Sequence, residues 1–275
     1  MTKEFIKMHG LGNDFVVVDA SLDGQVPTPE QVRDIADRKR GIGCDQVLVM
    51  EKARNKDADI FMRIYNPDGS EAGACGNGTR CVASLYMQRH NKQSCVIETV
   101  AGLLPSRMVD GLIEVDMGEP RTRWDQIPLS KECDTLNLGI LHGRQTMTEP
   151  VAVNVGNPHT IFFVDDVAKI ELEKWGPEVE NHVLFPERTN VEFAQVMAPD
   201  KIRVRVWERG TGVTQACGSG ACATIVAAAR RGLTGRKAEI VLDGGSLHME
   251  WRAEDGHILM KGPATYVFDG ILKAL

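Results

Sequence analysis

The 275-residue chain carries a formal net charge of −6, with 43% hydrophobic and 25% charged residues, the balance of a globular protein long enough to bury a full core without disulfide or metal staples. A mildly acidic chain without a long Lys/Arg run offers little to a phosphate backbone, so nucleic acid is not expected as a partner, and no apolar stretch approaches a membrane span. The N-terminal MTKEFIKMHG alternates charged and apolar residues, unlike a secretory signal, and seven cysteines with no CxxC pair fit free thiols in a reducing cytoplasm better than a disulfide framework.

In chain order, the first predicted strand is Asp14 to Asp19. Thr28-Pro29-Glu30-Gln31 then supplies an N-cap, a proline at N1 and a capping-box glutamine, which predicts a helix that stops near Gly41. A strand over Ile60 to Tyr65 runs into the turn Asn66-Pro67-Asp68-Gly69, and a helix starts just after the glycines at 76–78. Val109-Asp110-Gly111 is a turn. The segment from Gly118 to Glu149 is polar and weakly periodic, which suits an interdomain crossing with surface structure. Strands follow over Val151 to Val155, Ile161 to Val164 and Ile202 to Trp207, then a helix after the glycines at 218–220, with turns at Asp243-Gly244-Gly245 and Glu254-Asp255-Gly256. The expected class is α+β with antiparallel sheets.

An internal repeat organises the rest. Ala74-Cys75-Gly76-Asn77-Gly78 recurs as Ala216-Cys217-Gly218-Ser219-Gly220, and Arg63-Ile64-Tyr65-Asn66 aligns at the same spacing with Arg205-Val206-Trp207-Glu208. Earlier in each half, Gly12-Asn13 aligns with Gly156-Asn157 and Gln46 with Asn190, after a two-residue shift. Each half therefore presents an Asn, an amide, a polar residue and a cysteine in the same order. That pattern predicts two pseudo-symmetric domains with an active site in the cleft between them.

A cysteine followed by Gly-X-Gly and apolar-periodic residues (Val82, Leu85, Tyr86; Ile225, Val226) reads as a loop running into a helix N-terminus. Backbone N–H groups and the positive end of the macrodipole there lower a thiol pKa and bind a carboxylate. Two such thiols around one α-carbon could remove a proton from one face and deliver one to the other, with the helix N–H groups stabilising the charge that develops on the carboxylate. Cys75 and Cys217 are thus the predicted catalytic pair, with no cofactor and no metal. Cys44, Cys81, Cys95, Cys133 and Cys222 are expected to be buried small hydrophobes, with Cys81 and Cys222 packing inward. The gaps from Cys75 to Cys81 and from Cys217 to Cys222 do not match structural zinc spacings.

At these motifs the sequence resembles the diaminopimelate epimerases nearly end to end. His9-Gly10-Leu11-Gly12-Asn13-Asp14-Phe15, Gly41-Ile42-Gly43-Cys44-Asp45-Gln46, Asn66-Pro67-Asp68-Gly69-Ser70-Glu71 and Cys75 through Cys81 carry the likeness in the first half. Gly156-Asn157-Pro158-His159, Arg188-Thr189-Asn190, Trp207-Glu208-Arg209-Gly210 and Ala216 through Gly220 carry it in the second. The resemblance implies cofactor-independent, two-base interconversion of LL- and meso-diaminopimelate in lysine and peptidoglycan-precursor synthesis. It also implies two domains, 1–117 with 263–275 and 118–262, each a curled, mostly antiparallel sheet around a central helix, in a cytoplasmic enzyme with room for a homodimer. By the family pattern Asn13, Gln46, Asn66, Asn157, Asn190, Glu208 and Arg209 bind substrate, Gly76, Asn77, Gly218 and Ser219 hold the reacting carboxylate, and His159 and Glu208 tune the thiol pKa values. Cys44 stands near Gln46 as an oxidation-sensitive thiol.

Residue chemistry agrees: the distal end of a diamino diacid needs a guanidinium for its carboxylate, offered by Arg209, and acceptors for its ammonium, offered by Glu208 and the Asn oxygens. The rivals are a proline or hydroxyproline racemase of the same architecture, which needs no such distal cluster, and a thiol redox protein cycling Cys75 and Cys217 through a disulfide. A non-catalytic amino-acid-binding protein would leave the paired cysteines unexplained.

Overall fold

The computed structural model describes residues 2–140 and 149–273. The chain folds as two compact units, one of Met1–Asp116 with Lys261–Leu275 and one of Met117–Met260. Its elements in order are β1 (Thr2–Gly10), β2 (Asn13–Asp19), α1 (Pro29–Ala36), β3 (Gln46–Glu51), β4 (Ile60–Tyr65), β5 (Glu71–Ala72), α2 (Gly76–His90), β6 (Ser94–Thr99), β7 (Gly102–Val109) and β8 (Leu112–Asp116). Then come β9 (Val151–Asn154), β10 (Pro158–Phe163), a 3-10 turn at Val167–Lys169, α3 (Leu172–Glu180), β11 (Asn190–Ala198), β12 (Lys201–Glu208) and β13 (Gly212–Thr214). The chain ends with α4 (Gly218–Arg230), β14 (Lys237–Leu242), β15 (Gly245–Trp251), β16 (Ile258–Gly262) and β17 (Thr265–Lys273).

The two units repeat one strand grammar. In the first, β1 and β2 pair antiparallel, β2 and β3 parallel, β3 and β4 antiparallel, β4 and β5 antiparallel, β4 and β6 parallel, and β6 and β7 antiparallel. The second runs β9 to β15 through the same six pairings in the same order. The register repeats as well: Phe15 stands opposite Gln46 as His159 stands opposite Asn190, and Leu48 opposite Ile64 as Glu192 opposite Val206. The C-terminal β17 pairs antiparallel with β1. Each sheet curls around one helix, since α2 touches β1, β2, β3, β6, β7 and β8, and α4 touches β9, β10, β11, β14 and β15. The apolar positions after each Gly-X-Gly drive this: Val82, Leu85 and Tyr86 on α2, and Ile225 and Val226 on α4, are all buried. The result is the α+β, two-domain class.

Two local readings need correction, and one helix has no counterpart among the predicted elements. Helix α1 begins at the expected capping box, in which Thr28 and Gln31 bond reciprocally, but ends at Ala36 rather than near Gly41. Asp37 is extended, and its carboxylate accepts the N–H groups of Lys39 and Arg40, an Asx turn that competes with the next helical turn. Gly41 follows, where a Cβ would stand 1.9 Å from the Asp34 carbonyl oxygen. Secondly, 118–140 is not surface structure throughout: Ile127, Leu129 and Leu138 pack with Ala152, Leu184 and Phe185 in a buried cluster of the second unit. Residues 141–148 of that segment lie outside the described residues. Thirdly, α3 lacks a sequence signature because Gly176-Pro177 interrupts it. Packing decides instead, with Leu172 and Val179 buried against Phe162 and Phe193, and a side chain at Gly176 would run into the Trp207 ring.

Candidate active site

Both motif cysteines are helix N-caps. Gly78 N–H donates to Cys75 Sγ at 3.3 Å, and Gly220 N–H to Cys217 Sγ at 3.3 Å. The main-chain oxygens of the same cysteines accept from Thr79 N–H and Ala221 N–H. Sulfur thus takes the place of a serine or aspartate oxygen at the start of α2 and α4, held where the N-terminal amides of each helix converge. The glycines are steric requirements: a Cβ at Gly78 would stand 3.1 Å from Leu48, and one at Gly220 would stand 2.8 Å from Glu192 Oε1.

In the first unit the parallel pair β2/β3 brings the starts of both strands beside the N-terminus of α2. Asn13 Oδ1 accepts from Asn77 Nδ2 at 3.2 Å and faces Cys75 Sγ at 3.8 Å, while Asn13 Nδ2 donates to Asp45 Oδ2 at 2.9 Å. A carboxylate can only accept, so Asp45 fixes which way the Asn13 amide points. Asp45 is held in turn by Arg38, which also binds Asp14. Burial would raise the Asp14 pKa, but hydrogen bonds from Arg38 and Lys7 outweigh it and hold the carboxyl at about 2. Asn77 Oδ1 accepts from Arg80, a fully buried guanidinium whose Nε also reaches the Pro263 carbonyl. Gln46 donates to Asn66 Oδ1 at 3.1 Å, forming a second polar pair in this unit.

The second unit repeats the frame with different chemistry. Asn157 Nδ2 lies 3.5 Å from Ser219 Oγ, and its Oδ1 lies 2.9 Å from His159 Nε2. His159 is fully buried and its Nδ1 lies 2.7 Å from Glu192 Oε1. Glu208, at the register of Asn66, accepts from Thr214 Oγ1 at 2.5 Å and hydrogen-bonds the Cys217 side chain. Burial pushes the Glu208 carboxyl upward, with the Glu192 charge adding to the effect. Asn190 turns inward: its Nδ2 donates to the Pro158 carbonyl at 3.0 Å and its Oδ1 accepts Arg209 N–H at 2.9 Å, so this asparagine anchors the Arg209 backbone. The Arg209 guanidinium donates to the Glu187 carbonyl at 2.8 Å.

The helix terminus does not lower the Cys217 pKa as the sequence suggested. Burial first, then the charges of Glu208 and Glu192, push it well above the ordinary thiol value, outweighing the Ser219 hydroxyl and the Gly220 N–H. These surroundings favour the thiol form of Cys217 over the thiolate. Of the other cysteines, Cys81 and Cys222 are fully buried and Cys95 nearly so, whereas Cys133 is partly exposed. Cys44 does not fit an oxidation-sensitive role: it is 2% exposed, and burial raises its thiol to about 11.

Residues that the motif reading did not single out support the site. Asp45 orients Asn13, and Glu180 accepts from Gly210 N–H, Trp207 Nε1 and Arg188, pinning the turn that carries Glu208 and Arg209. Glu192 underlies Cys217. Its signal was available in the repeat, where a glutamate flanked by the buried Val191 and Phe193 stands in register with Leu48.

Comparison with known proteins completes the description. A family model described as diaminopimelate epimerase matches residues 5–123 and 151–267. The chain is 55% identical over 273 residues to a diaminopimelate epimerase of Rhodospirillum centenum, covering 99% of this chain and 93% of that one. It is 54% identical over 275 residues to a diaminopimelate epimerase of Phenylobacterium zucineum, covering 99% and 98%. Among solved structures, a hydroxyproline epimerase from Agrobacterium vitis with bound trans-4-hydroxy-L-proline superposes with a TM-score of 0.69 at 14% identity, covering 98% of this chain and 91% of that one. A phenazine biosynthesis protein of the PhzF family from Bacillus anthracis superposes with a TM-score of 0.67 at 18% identity, covering 100% of both. These distant structures share the fold.

Proposed function

The chain belongs to the diaminopimelate epimerase family of isomerases, and from that premise we propose that Cys75 and Cys217 are the two acid–base groups that invert one α-carbon of diaminopimelate. The observation that carries this reading is the duplicated N-cap cysteine, each sulfur fixed by the third amide of its helix. One thiolate takes the α-proton while the other thiol donates to the opposite face. The amides of Gly78, Thr79, Gly220 and Ala221 are engaged by the cysteines, and Gly76, Asn77, Gly218 and Ser219 at the same helix starts are assigned to the reacting carboxylate, which takes up the carbanion's charge. No electron-sink cofactor enters this scheme.

The substrate's distal end is assigned to Glu208 and Arg209 with Asn66 and Asn157, with Asn13 and Gln46 completing the polar lining. Asn190 acts through its grip on the Arg209 backbone, and His159 and Glu208 set the proton affinity around Cys217. The Glu208-Arg209 pair favours a substrate with two amino-acid ends over proline. Incubating the enzyme separately with LL-diaminopimelate and L-proline tests this: stereochemical inversion of the first and not the second is expected, and inversion of proline alone would overturn it.

No described helix is long and apolar enough to cross a membrane. None of the seven cysteines forms a disulfide, which supports a cytoplasmic setting. Tyr266, Val267, Phe268 and Ile271 on β17 are 45–58% exposed, and this apolar strip supports association as a homodimer. Sedimentation of wild type beside a Tyr266→Glu variant tests that: a dimer that becomes monomeric is expected, and a monomeric wild type would refute it.

A further inference from the structure

Beneath Cys217 lies a pair of ionisable side chains whose register counterparts in the first unit are apolar. His159 and Glu192 are both fully buried on the adjacent strands β10 and β11, with Nδ1 2.7 Å from Oε1. Glu192 Oε1 is also the atom that a Cβ on Gly220 would approach to 2.8 Å, which places this carboxylate directly under the turn that holds the Cys217 sulfur. Its other oxygen, Oε2, is buried without a hydrogen-bond partner among the described residues. In the first unit the same two register positions are Phe15 and Leu48, both fully buried, and Leu48 lies under Gly78.

The same scaffold therefore folds with an apolar pair at this place. A buried ionisable pair with an orphan oxygen destabilises relative to it, so its presence points to chemistry rather than packing. Asn157 Oδ1 can only accept, so the facing His159 Nε2 carries a hydrogen. A further proton is then shared between Nδ1 and Glu192 Oε1, either as imidazolium and carboxylate or as imidazole and carboxylic acid. Both distributions hold the ring with Nε2–H against Asn157. The other titratable groups around this carboxylate are Glu208 from β12 and Cys217 at the start of α4.

We propose that Glu192 is a positioning residue for the epimerisation. Through His159 it fixes the Asn157 amide, and it sets a proton-sharing pair beneath Cys217. The inference rests on the reading of Cys217 as an acid–base group.

Glu192→Gln keeps the volume and can still bond Nδ1, but cannot share the proton. Its kcat for diaminopimelate is expected to fall roughly 10²-fold, the low end of the contribution of a positioned proton-transfer group, with KM little changed. Peptide mapping after iodoacetamide treatment should show the Cys217 alkylation rate altered several-fold. The double variant His159→Phe with Glu192→Leu recreates the first unit's apolar pair. It should fold with an unfolding temperature at or above wild type, yet remain inactive. Wild-type kcat and a wild-type Cys217 alkylation rate in Glu192→Gln, or an active double variant, would each overturn the proposal. Cys217→Ala run in parallel separates the two levels: an active Cys217→Ala refutes the acid–base reading, whereas an inactive one beside a wild-type-like Glu192→Gln refutes only the role of Glu192.

Discussion

At the scale of single residues, the account turns on sulfur. Cys75→Ala and Cys217→Ala should each lower epimerisation by at least about 10³-fold, since each removes one of two obligatory proton carriers. Serine in either place should be crippled too while still binding substrate, because a hydroxyl is a far weaker acid than a thiol at neutral pH. Steady-state assays with substrate-binding controls check this, and near-normal turnover in any of the four would remove the two-base scheme. Arg209→Met should weaken diaminopimelate binding by about 2–4 kcal/mol, the range for removing one partner of a desolvated charge pair. Unchanged KM and kcat would place Arg209 outside the site.

Glu208 couples function to stability. Burial raises its carboxyl above the ordinary 4.5, so the native state holds that proton more tightly than the unfolded chain does. Stability then falls as pH rises from about 4.5 through the raised value, because over that interval the native state binds more protons. Glu208→Gln should consequently unfold at a higher temperature than wild type at pH 7, and the gain should vanish in acid below the ordinary carboxyl pKa. Thermal melts across pH check this; a variant less stable than wild type at pH 7 would contradict it.

The sequence made the cysteines, glycines and asparagines legible at this scale because backbone geometry demands those residue types at fixed offsets. It did not reveal the direction of the Cys217 pKa. A helix N-terminus favours the thiolate, but the carboxylates of Glu208 and Glu192 approach from strands remote in sequence and reverse the balance.

At the scale of elements, the helix starts offer an internal control. A Cβ at Gly78 would press on Leu48, a flexible hydrocarbon, whereas one at Gly220 would press on a buried, hydrogen-bonded carboxylate. Gly220→Ala should therefore reduce kcat more than Gly78→Ala. Equal losses would show that the glycines matter only for the backbone. Strand β12 and the helices α2 and α4 follow from their patterns, since period-two burial and a Gly-X-Gly start act locally. The end of α1 and the existence of α3 do not. The Asp37 turn overrides a helical continuation, and in α3 the contacts of Leu172, Val179 and Trp207 override Gly176-Pro177.

At the scale of the whole molecule, duplication explains how one fold supplies the two proposed acid–base groups. The six strand pairings recur in order, so two copies of an N-cap cysteine arise from one supersecondary plan, and divergence at a few register positions makes the copies unlike: Phe15 against His159, Leu48 against Glu192, Asn66 against Glu208. If both sulfurs serve one α-carbon, mild oxidation without substrate should link Cys75 to Cys217 and abolish activity, reductant should restore it, and saturating diaminopimelate should protect. A bond that instead involves Cys44, Cys81 or Cys222 would refute the shared α-carbon.

The most direct measurement of the central claim is the fate of the α-hydrogen when LL-diaminopimelate is turned over in deuterium oxide and both stereoisomers are recovered at low conversion. Two thiols acting on opposite faces predict that the meso product carries solvent deuterium at the inverted carbon while the remaining LL substrate keeps its protium. Deuterium appearing in recovered substrate as fast as in product, or product formed with the original hydrogen retained, would mean that a single base serves both faces and would contradict the account.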